Sequence, residues 1–173
     1  MQDKKNGIAK ISGAVWGIAG IIMLLASAIF RLAPYALEAF NYNFLWYHWL
    51  ALIFNTIFML GVKGYLGFHK GFSPRVAARA KYLKDNYIFM NSILAPLFCM
   101  GYFKSSLKRK ISAISLTIAI VILIILIRKL PQPWRGIVDF GVVAGLIFGI
   151  ISLIIFGYKA LSNDKFDYAN EVI

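Results

Sequence analysis

Residues 63–110 read KGYLGFHKGFSPRVAARAKYLKDNYIFMNSILAPLFCMGYFKSSLKRK. Two blocks rich in lysine and arginine, 63–84 and 104–110, flank a short apolar segment at 88–103. Long hydrophobic runs lie on both sides of the whole stretch. The architecture therefore depends on whether the short segment crosses a membrane or returns to the side from which it entered.

The composition is that of an integral membrane protein. Of the 173 residues, 60% are hydrophobic and 15% are charged, whereas a soluble domain is about half apolar and about a quarter charged. Such a chain has too few polar residues to cover a globule in water, but lipid solvates an apolar surface. We therefore expect a single all-α membrane domain that covers residues 1–173.

The charge and the few reactive side chains exclude several functional classes. The net charge is +12, but the cations lie beside apolar runs, where anionic headgroups account for them, and we predict no nucleic-acid partner. The single cysteine, Cys99, has no metal-ligand spacing around it and is expected to pack as a small hydrophobic residue. On one helix, His48 and His69 would lie about 31 Å apart, which is too far for both to bind the same metal ion. We predict neither a cofactor nor a metal.

The hydrophobic runs predict four transmembrane helices. They cover about 8–30, 44–66, 111–127 and 137–158, and a polar tail, 159–173, follows. About 20 apolar residues suffice to cross the hydrocarbon core of a bilayer. Aromatic residues that favour the headgroup level mark the far interface at the start of the second run: Tyr42, Trp46, Tyr47 and Trp49.

A separate helix is expected to begin at Ser73 and Pro74. Serine is a preferred N-cap, and proline is favoured at the first helical position. The apolar positions that follow form one helical stripe, Val76, Ala80, Leu83 and Tyr87. Because cations edge this stripe, the pattern favours a short helix that lies in the membrane interface; the alternative is an amphipathic connector that packs on the bundle.

The segment 88–103 is predicted to be re-entrant or interfacial, so that 74–103 as a whole stays near one leaflet. Sixteen helical residues reach about 24 Å, which is short of the hydrocarbon core, and Pro96 interrupts the backbone bonding. Without a crossing, 15 of the 19 Lys and Arg residues lie in the cytoplasm; with a crossing, the division is 12 to 7. The positive-inside rule favours the first arrangement over the alternative of five spans. It places both termini in the cytoplasm, and we expect the bacterial inner membrane.

The basic blocks supply the candidate binding residues. Lysine, arginine and histidine bind phosphate through charge-assisted hydrogen bonds. We expect these side chains to contact anionic lipid headgroups or an acidic partner protein. The candidates are His69, Lys70, Arg75, Arg79, Lys81, Lys84, Lys104, Lys108, Arg109 and Lys110.

Two rows of small residues predict close helix packing. Ala9, Gly13 and Gly17 repeat at every fourth position in the first run, and Gly141, Gly145 and Gly149 do so in the last. In lipid, such rows let helix backbones approach one another. The two rows are expected to pack within the chain or against a protein partner, which includes a second copy of the chain.

Three polar residues lie inside predicted apolar runs: Asn55, Asn91 and Asp139. The two amides suit interhelical hydrogen bonds. Asp139 lies four residues after Arg135, and an ion pair near the end of its helix is the favoured interpretation.

The leading functional hypothesis is a non-enzymatic accessory or assembly subunit of a larger membrane complex. A small oligomeric transporter or channel lined by the intramembrane polar residues is the first alternative. The second is an enzyme that acts on a phospholipid or a polyprenyl phosphate through His69, Arg75, Arg79 and Asp85. The sequence offers no paired carboxylates, serine–histidine–aspartate set or glycine-rich phosphate loop, which argues against catalysis.

Overall fold

The structure is a computed structural model of the chain. It describes residues 2–85, 94–102, 105, 107–162 and 168, with side chains from residue 11 onward except those of 108, 109, 112 and 116. The α-helices of this part are α1 (Gln2–Glu38), α2 (Trp46–Phe58), α3 (Ser73–Asp85), α4 (Ala95–Met100), α5 (Leu107–Ile127) and α6 (Trp134–Ser162). A 3-10 turn, Ala39–Asn41, follows α1, and a π-helical segment, Met59–Phe72, joins α2 to α3.

Three helical stretches are long and apolar enough to cross a membrane. They are Ile11–Asn41, Trp46–Asp85 and Trp134–Ser162. The first two overlap the predicted spans 8–30 and 44–66, and the third contains the predicted span 137–158. The described part of the chain is therefore a helical membrane protein, as the composition indicates. The remaining predicted span lies in α5, whose apolar stretch Ala113–Ile127 is shorter.

The second span continues without a break into the basic block. Residues Trp46–Asp85 form one helix of 40 residues, which we call the long helix. Regular α-helical geometry begins at Ser73, as predicted, but it continues the long helix, so that the expected separate helix is not found. In the wider π-helical turn, the N–H of Ser73 donates to the carbonyl of Phe68, five residues earlier. A π-helical turn accommodates a proline that would disturb regular α-helical bonding.

The apolar stripe of α3 lies inside the protein. Val76, Ala80 and Leu83 are fully buried and pack with Ala14, Ile18 and Ile21 of α1 and with Leu153 of α6. The expectation that this stripe faces lipid is thus not met, because the neighbouring helices cover it. Tyr87, the last residue of the predicted stripe, lies outside the described residues.

The short helix α4 occupies the middle of the apolar segment that the sequence marks as ambiguous. It has six residues, about 9 Å, and is too short to cross a bilayer. Pro96 lies in its first turn, and Gly101 ends it with a φ of 93°. The N–H groups of Gly101 and Tyr102 return to the carbonyls of Phe98 and Leu97, which is the Schellman ending that favours glycine.

The bundle has two chemically different ends. The long helix runs parallel to α6, since Asn55 bonds to Ile137 and Lys84 bonds to Leu161. Helix α1 runs the other way, with Ile18 beside Gly157 and Ala39 beside Gly136. The end with α3, α4 and Leu161 is called the basic end. The opposite end, where the rings of Tyr47, His48 and Trp134 meet, is called the aromatic end.

Helix α5 stands apart from this bundle. Of its described side chains, only Ala113 and Ile127 are even partly buried. The hydroxyl of Tyr102 meets that of Thr117, but α5 makes no extensive contact with another helix of the described chain. The described part of the chain therefore leaves most of its apolar surface uncovered.

Candidate functional site

The glycine row of α6 packs against the long helix. A Cβ atom added at Gly149 would lie 2.8 Å from the ring of Phe68, and one added at Gly145 would lie 3.5 Å from the carbonyl oxygen of Met59. A side chain at Gly141 would collide with the amide of Asn55. This row therefore contacts a helix of the same chain.

The row of α1 meets a different element. A Cβ atom at Gly17 would lie 2.9 Å from the Sγ atom of Cys99 in α4, and Gly13 is also buried. The side chain of Ala9 lies outside the described residues. The two predicted rows therefore do not meet each other. The long helix contributes a glycine of its own to this interface. Gly64 packs against the ring of Phe148 on α6, and it was not among the predicted packing residues.

The intramembrane polar residues are engaged within the bundle as far as the structure describes them. Asn55 donates through Nδ2 to the carbonyl of Ile137 at 2.8 Å, across the interface between the long helix and α6. The Nε atom of Arg135 lies 3.7 Å from Oδ2 of Asp139, whose side chain is 2% exposed. The guanidinium of Arg135 also lies 3.7 Å from the ring centre of Tyr35. Asn91 lies outside the described residues.

Arg79, a predicted headgroup ligand, is buried. It is 2% exposed, its Nη1 donates to the carbonyl of Phe98 at 2.8 Å, and its guanidinium lies 5.3 Å from the ring centre of Phe98. The carbonyls of the last turn of a helix lack helical partners, and a cation there is favourable. Arg79 therefore attaches α4 to α3 instead of facing a leaflet.

The remaining predicted cations divide into engaged and exposed side chains. Lys84 donates through Nζ to the carbonyl of Leu161 at 3.0 Å, near the end of α6, and Lys81 is half-buried with further contacts. Arg75, Lys70 and Lys110 are exposed. Lys104 and the side chains of Lys108 and Arg109 lie outside the described residues. The described cations thus do not converge on one site.

His69 joins the long helix to α6. Its Nδ1 lies 3.1 Å from the hydroxyl oxygen of Ser152. Its ring stacks on Tyr65 and meets the edge of Phe156, with ring centres 5.6 and 5.1 Å apart. The sequence groups His69 with the basic residues that follow it, but it does not show this contact with α6.

The thiol of Cys99 has the environment of a packing residue. Burial raises the pKa of Cys99 to about 12, although the nearby charge of Arg79 acts in the opposite direction. A thiol is a nucleophile and metal ligand only when it loses its proton, so this environment favours a packing role for Cys99. Within the described residues, no group of three or more His, Cys, Asp or Glu side chains is placed to hold a metal ion.

No family model matches the chain, and neither does a curated protein or a solved structure. The functional argument therefore depends on the geometry alone.

Proposed function

We propose that the chain is a non-enzymatic accessory or assembly subunit of a larger membrane complex. In this proposal it crosses the bacterial inner membrane four times, through α1, the long helix, α5 and α6, and both termini lie in the cytoplasm. The basic end then faces the anionic cytoplasmic leaflet or an acidic partner surface, as the positive-inside rule favours.

The observation that carries this proposal is the separation of α5 from the bundle. Ile118 is 54% exposed and Ile122 is 52% exposed, and the residues around them are exposed as well. Helices in lipid associate through close packing and interhelical hydrogen bonds, and little hydrophobic energy is gained when they meet. A helix that makes so little contact with its own chain has its whole surface available to a helix of another protein.

The path of the chain supports a fourth span. Leu107 follows the end of α4 closely, at the basic end, whereas Gln132, just after α5, donates through Nε2 to the carbonyl of Tyr35 at 3.3 Å. Tyr35 lies at the aromatic end. Helix α5 has 21 residues, about 32 Å at the α-helical rise, which matches a hydrocarbon core of about 30 Å.

The chemistry of the basic end supports a role without catalysis. An enzyme acting on a phosphorylated lipid needs its cations at the surface beside a group that moves protons. Arg79 is buried against Phe98 and donates to its carbonyl, and Lys84 donates to the carbonyl of Leu161 near the end of α6. These two side chains stabilise the fold and are not available to a reaction centre.

Site-specific crosslinking in cells tests the proposal. A photo-crosslinking amino acid at Ile118 of α5 is compared with one at Ile151 of α6, because these positions are 54% and 52% exposed. We expect one protein adduct of constant mass, identified by mass spectrometry, from Ile118 and none from Ile151. Equal adducts at the two positions, or lipid adducts alone, would contradict the proposal.

A small oligomeric transporter is the second candidate function, and Asp139 is the observation that favours it. Its Oδ2 is buried and has no hydrogen-bond partner among the described residues, and buried acids in spanning helices often serve transport. Flux through the reconstituted protein is compared with that of Asp139→Asn. Flux that is absent from the native chain, or equal in both, removes this candidate.

A further inference from the structure

One group of side chains at the basic end combines cations, rings and a fixed imidazole. It lies where the π-helical segment meets the last turns of α6, and we call it the His69 patch. Its members are Tyr65, His69, Lys70, Ser152, Phe156 and Lys159. These residues are separated by up to 94 positions in the chain, so that only the fold brings them together.

The imidazole of His69 is held in one orientation. The planes of the His69 and Tyr65 rings are only 13° apart, with centres 5.6 Å from each other. The edge contact with Phe156 and the bond to Ser152 hold two other sides of the ring. Fixed in this way, His69 loses little rotational freedom when a ligand binds, which favours binding.

The hydrogen bond to Ser152 also selects which nitrogen of His69 is available. Because the bond uses Nδ1, Nε2 is the nitrogen left for a ligand, and it has no hydrogen-bond partner among the described residues. When the hydroxyl of Ser152 donates to Nδ1, the neutral ring carries its proton on Nε2 and donates outward. Such a donor suits an anionic oxygen.

Two ammonium groups flank the rings. Nζ of Lys70 lies 5.0 Å from the ring centre of Tyr65, and Nζ of Lys159 lies 5.9 Å from that of Phe156. In the described part of the chain, neither lysine has a carboxylate partner. Arg79 and Lys84 differ from them, because each donates a hydrogen bond to a backbone carbonyl.

We infer that the His69 patch binds the phosphate of an anionic phospholipid. Lys70 and Lys159 supply the charge, and Nε2 of His69 supplies a directed hydrogen bond. The same two helices carry exposed apolar side chains nearer the aromatic end, Val62 and Phe58 on the long helix and Ile151 and Ile147 on α6. They offer a surface for acyl chains that a free phosphate ion would not use. The inference rests on the proposed location of the basic end at a leaflet, and it requires no protein partner.

Lipid exchange followed by native mass spectrometry tests this inference. The purified full chain is offered equal amounts of phosphatidylglycerol and phosphatidylcholine with the same acyl chains. We expect the chain to retain the anionic lipid preferentially. The double variant Lys70→Gln, Lys159→Gln should bind it roughly 30-fold more weakly, since each surface lysine contributes roughly 1 kcal/mol to binding an anionic lipid.

The matched control removes two exposed lysines outside the patch, Lys63→Gln and Lys110→Gln. It should bind phosphatidylglycerol within about twofold of the native chain, while Ser152→Ala should weaken binding without a change of charge. Unfolding temperatures in zwitterionic detergent verify that every variant is folded.

Three results would overturn the inference. They are equal retention of the two lipids, equal losses in the patch and control variants, and binding of inorganic phosphate as tight as that of the lipid. Crosslinking from Ile118 and lipid exchange, both on the native chain, distinguish the two proposals. A native chain that shows no preference for the anionic lipid but gives the Ile118 adduct rejects only the patch, and one that shows the preference but gives no adduct rejects only the partner.

Discussion

Helices α5 and α6 are both strongly apolar, yet only α6 is built into the bundle. Helix α6 presents Gly141, Gly145 and Gly149 to the long helix, and each glycine admits a side chain or the backbone of its neighbour. Helix α5 is dominated by isoleucine, leucine and valine and is exposed along its length. Apolar character thus takes a helix into lipid, but small residues decide whether it packs against another helix.

Filling the glycine contact should have the largest effect. In Gly149→Leu, the new side chain would collide with the ring of Phe68, which lies 2.8 Å from an added Cβ atom. Overpacking of this kind costs about 3 kcal/mol, which should appear in unfolding measurements in detergent. The matched control is Ala119→Leu on α5, where the side chain is exposed. Equal losses in both variants would contradict the difference between the two helices.

Removing the buried guanidinium should cost nearly as much. Arg79→Ala removes the charged donor to the carbonyl of Phe98, which keeps only the N–H of Gly101 among the described residues, and opens space between α3 and α4. We expect a loss of about 2–3 kcal/mol, the value of a hydrogen bond to a charged group. Arg75→Ala, which alters an exposed arginine on the same helix, should change stability by less than about 0.5 kcal/mol. If the two variants lose the same stability, Arg79 does not attach α4.

The hydrogen bond across the glycine contact should contribute less. Asn55→Leu removes the donor to the carbonyl of Ile137, and interhelical hydrogen bonds in membranes average about 0.6 kcal/mol. Its control is Thr56→Val, because the hydroxyl of Thr56 bonds within its own helix, to Leu52. The difference between the unfolding free energies of the two variants measures the contribution of the interhelical hydrogen bond. A loss above about 2 kcal/mol would show that Asn55 does more than join two helices.

The smallest effect is expected on α5. Ile122→Ala shortens a side chain that is 52% exposed and touches no extensive surface of the bundle. The unfolding free energy of the isolated chain should change by less than about 0.5 kcal/mol. A loss of the size typical of a buried isoleucine, about 2 kcal/mol or more, would place α5 inside the bundle.

Local signals predicted the elements but not always their ends. The apolar runs at 8–30 and 137–158 correctly predicted spanning helices that overlap Ile11–Asn41 and lie within Trp134–Ser162, because lipid selects for length and hydropathy alone. Ser73 and Pro74 carry the signals of a helix start, yet the long helix passes through them. Local capping preferences contribute about 1 kcal/mol, and the burial of the α3 stripe against α1 and α6 outweighs them.

The candidate site shows the same division more sharply. Lys70, Arg79 and Lys84 are cations of one basic block and look alike in the sequence. In the structure, Lys70 is exposed, Arg79 is buried and donates to the carbonyl of Phe98, and Lys84 donates to the carbonyl of Leu161. Partners so distant in sequence cannot be inferred from spacing, and neither can the contact of His69 with Ser152.

The sequence by itself determined that this chain is helical, belongs in a membrane and carries most of its positive charge in one region, because hydropathy and charge act residue by residue. The tertiary structure alone decided which cations remain available, which helix each glycine row meets and that α5 stays outside the bundle. Those outcomes depend on shape and on hydrogen bonds between distant segments, and such contacts form only once the helices are placed side by side.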